Sequence, residues 1–85
     1  MYVHLGETTV VRAENILGIF DLDNTSVSKH TRDFLGRAEK AGQVTNVSYE
    51  LPRSFIVCVE QGKTRVYISQ ISTATLKLRA AKALQ

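Results

Sequence analysis

The apolar run SFIVCVE at positions 54–60 limits how this chain folds more than any other segment. A short run of β-branched and aromatic residues favours a β-strand. The residues Gln61-Gly62-Lys63 have turn chemistry, and RVYIS at 65–69 follows as a second strand. The segment VTNVSYEL at 44–51 alternates in polarity until Pro52 interrupts it. We therefore expect the last three strands to form one meander or series of hairpins.

The remainder of the chain supplies three earlier strands and two helices. YVHLG and TTVVRA read as strands joined by a tight turn at Gly6-Glu7, and NILGIFDL reads as a third, buried strand. A helix is predicted from about residue 28 to 41, with an apolar stripe of Val27, Phe34, Leu35, Ala38 and Ala41. Gly42 is the expected stop signal for that helix.

Ser72 is suited to cap a terminal helix whose buried side carries Leu76, Ala80, Ala83 and Leu84. The predicted order is βββαβββα, an α+β fold of antiparallel strands with a central amphipathic helix and a C-terminal helix. We expect residues 1–85 to form one domain.

The length of 85 residues gives a small core and a thin margin of stability, which a partner subunit would increase. Apolar residues make up 44% of the chain and charged residues 22%, values that indicate a folded protein. No apolar run approaches the roughly 20 residues that span a membrane, and no cationic leader begins the sequence. The expected location is the cytoplasm, without membrane contact.

Basic residues are unevenly placed along the chain. All eight acidic residues lie at or before Glu60, whereas the last 25 residues carry five basic side chains and a formal charge of +5. Two interpretations stay open: an anionic partner, or a helix face that only confers solubility.

The segment GIFDLDNTSV, with Asp21, Asp23 and Thr25, resembles the first motif of the haloacid-dehalogenase phosphatases. Their mechanism implies a magnesium ion held by a second, downstream pair of acids. After Asp33 the chain has no aspartate, and its later glutamates stand singly. We therefore expect Asp21, Asp23 and the polar residues behind them to turn the chain and cap the helix, and we predict no enzyme activity.

Metal and cofactor sites have no support in the sequence. His4, His30 and Cys58 lie in different elements and lack the close spacing of a zinc motif. Cys58 is the only cysteine, so it cannot form an internal disulfide, and its apolar neighbours indicate a small core residue. We predict no cofactor and no metal ion.

Four segments in order, MYVHLG, VVRAENILGIFDLD, LPRSFIVCVE and VYISQISTATLKLRA, resemble the RemA/RemB family of small extracellular matrix regulators. The resemblance covers nearly the whole chain. It implies a cytoplasmic transcriptional regulator of biofilm matrix genes. For RemA-like members it also implies a ring-shaped homo-oligomer that presents basic residues to the DNA phosphate backbone.

One loop departs from the family pattern. RemA-like proteins carry adjacent arginines directly after a tyrosine that matches Tyr49, whereas this chain has Glu50, Leu51 and Pro52 there and Arg53 next. This departure leaves an alternative open, an oligomerising accessory protein that binds a partner protein, such as a RemA-like one, with little direct DNA binding.

Six basic residues are the candidates for phosphate contacts: Arg53 first, then Lys63 and Arg65, with Arg32, Arg37 and Lys40 as a weaker set. Such contacts position a protein on DNA without reading its bases. We expect Tyr49, Tyr67 and Phe55 to be core or interface residues rather than platforms for base stacking.

Overall fold

The computed structural model describes residues 1–23 and 27–85. Its strands are β1 (Tyr2–Gly6), β2 (Thr9–Arg12), β3 (Ile16–Asp21), β4 (Val44–Asn46), β5 (Ser54–Glu60) and β6 (Lys63–Ser69). Its helices are α1 (Lys29–Lys40) and α2 (Thr73–Ala83), and a short 3-10 turn, Ala13–Asn15, precedes β3. The α+β class and the predicted order βββαβββα are confirmed. No helix in the described ranges is both long and apolar enough to cross a membrane.

Strand β5 is the inner strand around which the fold is arranged. The main sheet has the order β3-β5-β6-β4, and β5 is antiparallel to both of its neighbours. Because side chains alternate along a strand, Phe55 and Val57 face α1, whereas Ile56 and Cys58 face β1, β2 and α2. Apolar residues on both faces let this strand lie between two layers, which explains its uninterrupted apolar sequence.

The predicted meander of the last three strands is wrong. Strand β4 pairs with the far edge of β6, and the pairing is parallel, so the sheet is mixed rather than antiparallel. The loop 47–53 then crosses the end of β6, where the Val47 amide donates to the Ile68 carbonyl and the Arg53 amide to that of Ser69, both at 2.9 Å. The hairpin with β5 occupies one edge of β6, so β4 pairs with the edge that remains.

Helix α1 covers one face of the sheet. Phe34, Leu35 and Ala38 pack against Phe55 and Val66, as the predicted stripe requires. Ser28 caps the helix, since its hydroxyl accepts from the Thr31 amide at 3.1 Å.

Gly42 ends α1, as predicted. Its φ of 71° lies in the left-handed region, its amide donates to the Glu39 carbonyl, and the Gln43 amide donates to the Ala38 carbonyl. These two bonds define a Schellman motif. Ala41 is exposed rather than part of the buried stripe, because the helix ends before it.

The hairpin β1–β2 and helix α2 cover the other face. Val3, Leu5, Val11 and Leu76 are buried there with Ile56 and Cys58. Two buried hydroxyls join the layers: Ser69 donates to the Leu5 carbonyl at 2.6 Å, and Ser54 donates to the Ile71 carbonyl at 2.8 Å.

Helix α2 begins after Ser72, whose hydroxyl accepts from the Thr75 amide at 3.3 Å. Leu76 and Ala83 are buried and Ala80 is partly buried, in agreement with the predicted apolar side. Leu84 is 62% exposed because it follows the last helical residue. The prediction was wrong for Leu84 alone.

Strand β3 forms an open edge of the sheet and is less buried than predicted. Leu17 is 70% exposed, and the ring of Phe20 stacks on that of Phe55 with their centroids 4.9 Å apart. Gly18 permits this stacking, because a β-carbon there would lie 2.6 Å from the Phe20 ring.

We expect Gly36→Ala to raise the free energy of unfolding by about 0.5–1 kcal/mol. Gly36 lies inside α1, and a β-carbon there would meet nothing within 4 Å. The gain comes from the lower conformational freedom of alanine in the unfolded chain. Urea denaturation measures it, with Gly62→Ala as the control. Gly62 has a φ of 79°, so alanine there is strained and lowers stability. Equal stability of the two variants would contradict this account.

Candidate nucleic-acid interface

Arg53 is held at the point where the loop 47–53 enters β5. Its amide donates to the Ser69 carbonyl and its carbonyl accepts from the Leu22 amide, both at 2.9 Å. The backbone of Arg53 therefore lies between the ends of β6 and β3. This position fixes the direction in which the side chain leaves the loop.

The guanidinium of Arg53 contacts the carboxylate of Asp23. Its Nε lies 3.0 Å from one carboxylate oxygen and 3.2 Å from the other. About half of the Arg53 side chain is exposed, so solvent weakens the pair. Asp23 nevertheless places a negative charge beside the arginine that the sequence ranks first for phosphate contact. A phosphate that approaches Arg53 meets repulsion from Asp23 as well as attraction.

The prediction that Asp21 and Asp23 help to turn the chain and cap the helix is therefore only partly correct. Asp21 accepts from the Asp23 amide at 2.7 Å and forms the expected turn, whereas Asp23 pairs with Arg53 and Ser28 caps α1. Asn24, Thr25 and Ser26 lie outside the described residues. In the described part of the chain, no three His, Cys, Asp or Glu side chains group as metal ligands would.

Helix α1 presents three basic residues together. Arg32, Arg37 and Lys40 are all exposed, and together with Asp33 and Gly36 they line a shallow groove of about 260 Å³. Residues 32 and 40 are about 12 Å apart along the helix axis. Asp33 is paired with Lys29 at 3.2 Å, and within residues 1–23 and 27–85 none of the three basic residues forms an ion pair.

Lys63 and Arg65 lie together at the opposite end of β5 from Arg53. Lys63 pairs in register with Glu60, and Arg65 with Cys58. The two ends of β5 are six residues apart, so about 20 Å along the strand separates Arg53 from Lys63. Arg65 Nη1 is 3.4 Å from the Gly42 carbonyl and 3.5 Å from Thr45 Oγ1, which are long contacts. Both basic residues border a cleft beside the β1–β2 hairpin.

The six candidate residues thus form three separate groups. One subunit cannot present Arg53 and Lys63 to the same phosphate, whereas the α1 group is contiguous. The three residues that the sequence ranks as the weaker set border a single groove on α1. The Asp23–Arg53 pair was missed because these residues are 30 positions apart, and no local pattern signals their contact.

The aromatic residues differ in their surroundings. Phe55 is buried as predicted. Tyr67 is partly buried and donates from its hydroxyl to Glu60 at 2.6 Å. Burial, with this bond to a carboxylate, raises the pKa of Tyr67. Tyr49 is fully exposed, so the core role considered for it is wrong, and an interface role stays a prediction.

Cys58 is a core residue, as predicted. Its side chain is completely buried in the layer formed with β1, β2 and α2. Burial, with a smaller effect from the nearby Glu60 carboxylate, raises the pKa of the thiol to about 11. Cys58 is thus a packing residue that stays protonated near neutral pH.

Comparison with known proteins gives a clear relative. No protein-family model matches the chain. Over 80 residues it is 38% identical to extracellular matrix regulatory protein B of Bacillus subtilis (strain 168). This alignment covers 94% of the chain and 90% of the relative, so the two proteins correspond along nearly their full lengths. The chain therefore belongs to the family of extracellular matrix regulatory protein B, which confirms the resemblance of its sequence to the RemA/RemB family.

Proposed function

We propose that the protein is a cytoplasmic, non-enzymatic regulator of transcription of extracellular matrix genes, and that it acts on DNA as a homo-oligomer. Its relative is named a regulatory protein of the extracellular matrix. The observation that carries the DNA part is the exposed groove of α1, where Arg32, Arg37 and Lys40 form no ion pair within the described residues and the one acid beside them, Asp33, is paired with Lys29.

The α1 face binds the DNA backbone through phosphate contacts. Each guanidinium or ammonium group donates hydrogen bonds to phosphate oxygens and displaces condensed counterions, so binding weakens as salt rises. Gly36 lies between the basic residues and has no side chain, which leaves room for a phosphate to approach the helix backbone. These contacts hold the protein on a duplex but do not select a sequence.

Self-association increases the effect of this small charge. The chain carries only +3, but each added subunit repeats the same basic face at a high effective concentration. The open edges of β3 and β4, and the exposed Leu17 on β3, provide surfaces for a second copy. A ring is the closed arrangement that head-to-tail contacts between identical subunits produce.

Replacement of Arg32, Arg37 and Lys40 by glutamine is expected to weaken binding to a DNA duplex by at least about tenfold at low salt. The slope of log affinity against log salt should decrease in magnitude by roughly three, close to one per lost contact. Fluorescence anisotropy at several salt concentrations measures both quantities.

The matched control for this variant is Lys77→Gln, Arg79→Gln and Lys82→Gln, which removes the same charge from α2. Because Arg79 Nη1 donates to the His4 carbonyl at 2.8 Å, thermal unfolding of the control must be checked first. If both variants weaken binding equally, α1 is not the interface. If the native protein fails to bind DNA even near 50 mM salt, the DNA proposal is wrong.

Asp23→Asn is expected to increase DNA affinity by about threefold, because the carboxylate that neutralises Arg53 is removed from an exposed pair. Arg53→Gln should then decrease the affinity of the Asp23→Asn protein more than that of the native protein. Anisotropy titrations of the four proteins give this comparison as a double-mutant cycle. Glu7→Gln is the control, since it makes the same charge change at an exposed turn. An equal gain in the control would show a general charge effect only.

A second candidate function rests on the loop 47–53. Tyr49 is fully exposed and Leu51 is 82% exposed, in the part of the loop where RemA-like proteins are expected to carry arginines. Large exposed apolar side chains suit contact with a protein better than contact with phosphate. In this alternative the oligomer is an accessory protein that binds a protein partner, such as a RemA-like regulator.

Both candidates require self-association, which light scattering tests. We expect a mass of several subunits at micromolar concentration for the native protein, and a lower mass for Leu17→Lys, because a charge on the β3 edge opposes strand pairing. Leu78→Lys is the control, as Leu78 is exposed but lies on helix α2, which has no strand edge to pair. A monomeric native protein would contradict both candidates.

A further inference from the structure

A cleft of about 590 Å³ lies between the hairpins β1–β2 and β5–β6. The residues from β1 and β2 that border it include Tyr2, Val10 and Arg12, and those from the second hairpin include Glu60, Lys63 and Arg65. Its volume is within the range of small-molecule sites, roughly 300–1,000 Å³. The cleft thus has the size of a ligand site, and it is separate from the α1 face.

The charge of the cleft is positive. Three cations, Arg12, Lys63 and Arg65, border it together with a single acid, Glu60. The Glu60 carboxylate accepts the Tyr67 hydroxyl at 2.6 Å, so one of its oxygens is occupied. Lys63 and Arg65 form no ion pair anywhere in the described residues, although Lys63 is in register with Glu60.

Arg12 reinforces this charge from the opposite wall. Its guanidinium contacts Glu14 through Nη2 at 3.1 Å and Nε at 3.3 Å. Glu14 also accepts from the amino group of Met1 at 3.1 Å, so two cations share this carboxylate. The amino group and Arg12 lower the pKa of Glu14, so this carboxylate is ionised at neutral pH.

An aromatic side chain completes the site. Tyr2 is the cross-strand partner of Arg12, so both side chains leave the same face of the hairpin. Tyr2 is 68% exposed and Val10 is 52% exposed, which leaves apolar surface uncovered beside the cations. A nucleoside phosphate combines the same features, since it joins an anion to a flat base that stacks on an aromatic ring.

We propose that this cleft binds a nucleoside phosphate, with the phosphate oxygens at Lys63, Arg65 and Arg12 and the base against Tyr2. DNA offers the same phosphate chemistry, but the cleft is concave and lies between two hairpins. A free nucleotide enters such a space, whereas the backbone of a duplex fits the exposed face of α1. The proposal goes beyond the DNA interface and does not depend on it.

Isothermal titration calorimetry of the full chain with ATP and GTP tests the site. We expect at least one of them to bind at millimolar concentration or below, and Lys63→Gln to weaken that binding by about tenfold, the loss expected for a hydrogen bond to a charged group. Tyr2→Ala should weaken it by about fivefold or more through lost stacking. Inorganic pyrophosphate should bind more weakly than the nucleotide, because it has no base.

Arg37→Gln is the matched control and should leave nucleotide binding unchanged while it weakens DNA binding. Tyr2→Ala should show the converse, because Tyr2 borders the cleft and is not among the candidate DNA contacts, so failure of one site is distinguished from failure of the other. Lys63 is exposed, so Lys63→Gln should leave the fold intact, and thermal unfolding is the measurement that checks this. The proposal is overturned if neither nucleotide binds, if Lys63→Gln or Tyr2→Ala binds as the native protein does, or if pyrophosphate binds as tightly as the nucleotide.

Discussion

Burial of β5 on both of its faces is the constraint on which the rest of the structure depends. Phe55 and Val57 require α1 as cover, whereas Ile56 and Cys58 require the β1–β2 hairpin and α2. A chain of 85 residues can meet both requirements only by placing thin layers on either side of one short sheet. Two thin layers do not cover every apolar side chain, and Leu17, Leu51 and Leu78 are among those that stay exposed. Leu17 lies on the open edge of β3, and both are surfaces available to a second copy.

The hydrogen bonds at the end of β6 connect this core to the candidate interface. Because the amides of Val47 and Arg53 both donate to carbonyls of β6, the loop between them is anchored at its two ends. Tyr49 and Leu51 project from the middle of that loop, while Arg53 turns toward Asp23 at the end of β3. An exposed apolar tip and a neutralised arginine are therefore neighbours. This arrangement favours a protein contact over a phosphate contact at the loop, and it gives α1 the larger share of the proposed DNA interface.

Six basic residues were identified in the sequence as candidate phosphate contacts. Whether each is available to an anion depends on the residues that surround it in the fold. Helical periodicity placed Arg32, Arg37 and Lys40 outside the apolar stripe of α1, and the structure adds that they border one groove and that Asp33 is paired with Lys29. Strand spacing placed Lys63 and Arg65 side by side, but only the packing of the hairpins adds Arg12 and Tyr2 to the same cleft. The ion pair of Arg53 with Asp23 has no counterpart in any local pattern, because chain folding alone brings these residues together.

The sequence by itself determined the elements of this protein: the apolar run of β5, the stop of α1 at Gly42, the start of α2 at Ser72 and the family to which the chain belongs. The strand and the helix ends are local features, so periodicity and capping chemistry reveal them. Family membership is revealed by sequence identity summed over the whole chain. Only the tertiary structure decided that β4 pairs in parallel with β6, that β3 is an exposed edge and that Asp23 meets Arg53. Each of these features lies where different segments of the chain could pack, at the free edge of a strand or at the end of a sheet. Residues that are distant in sequence determine which segment packs there.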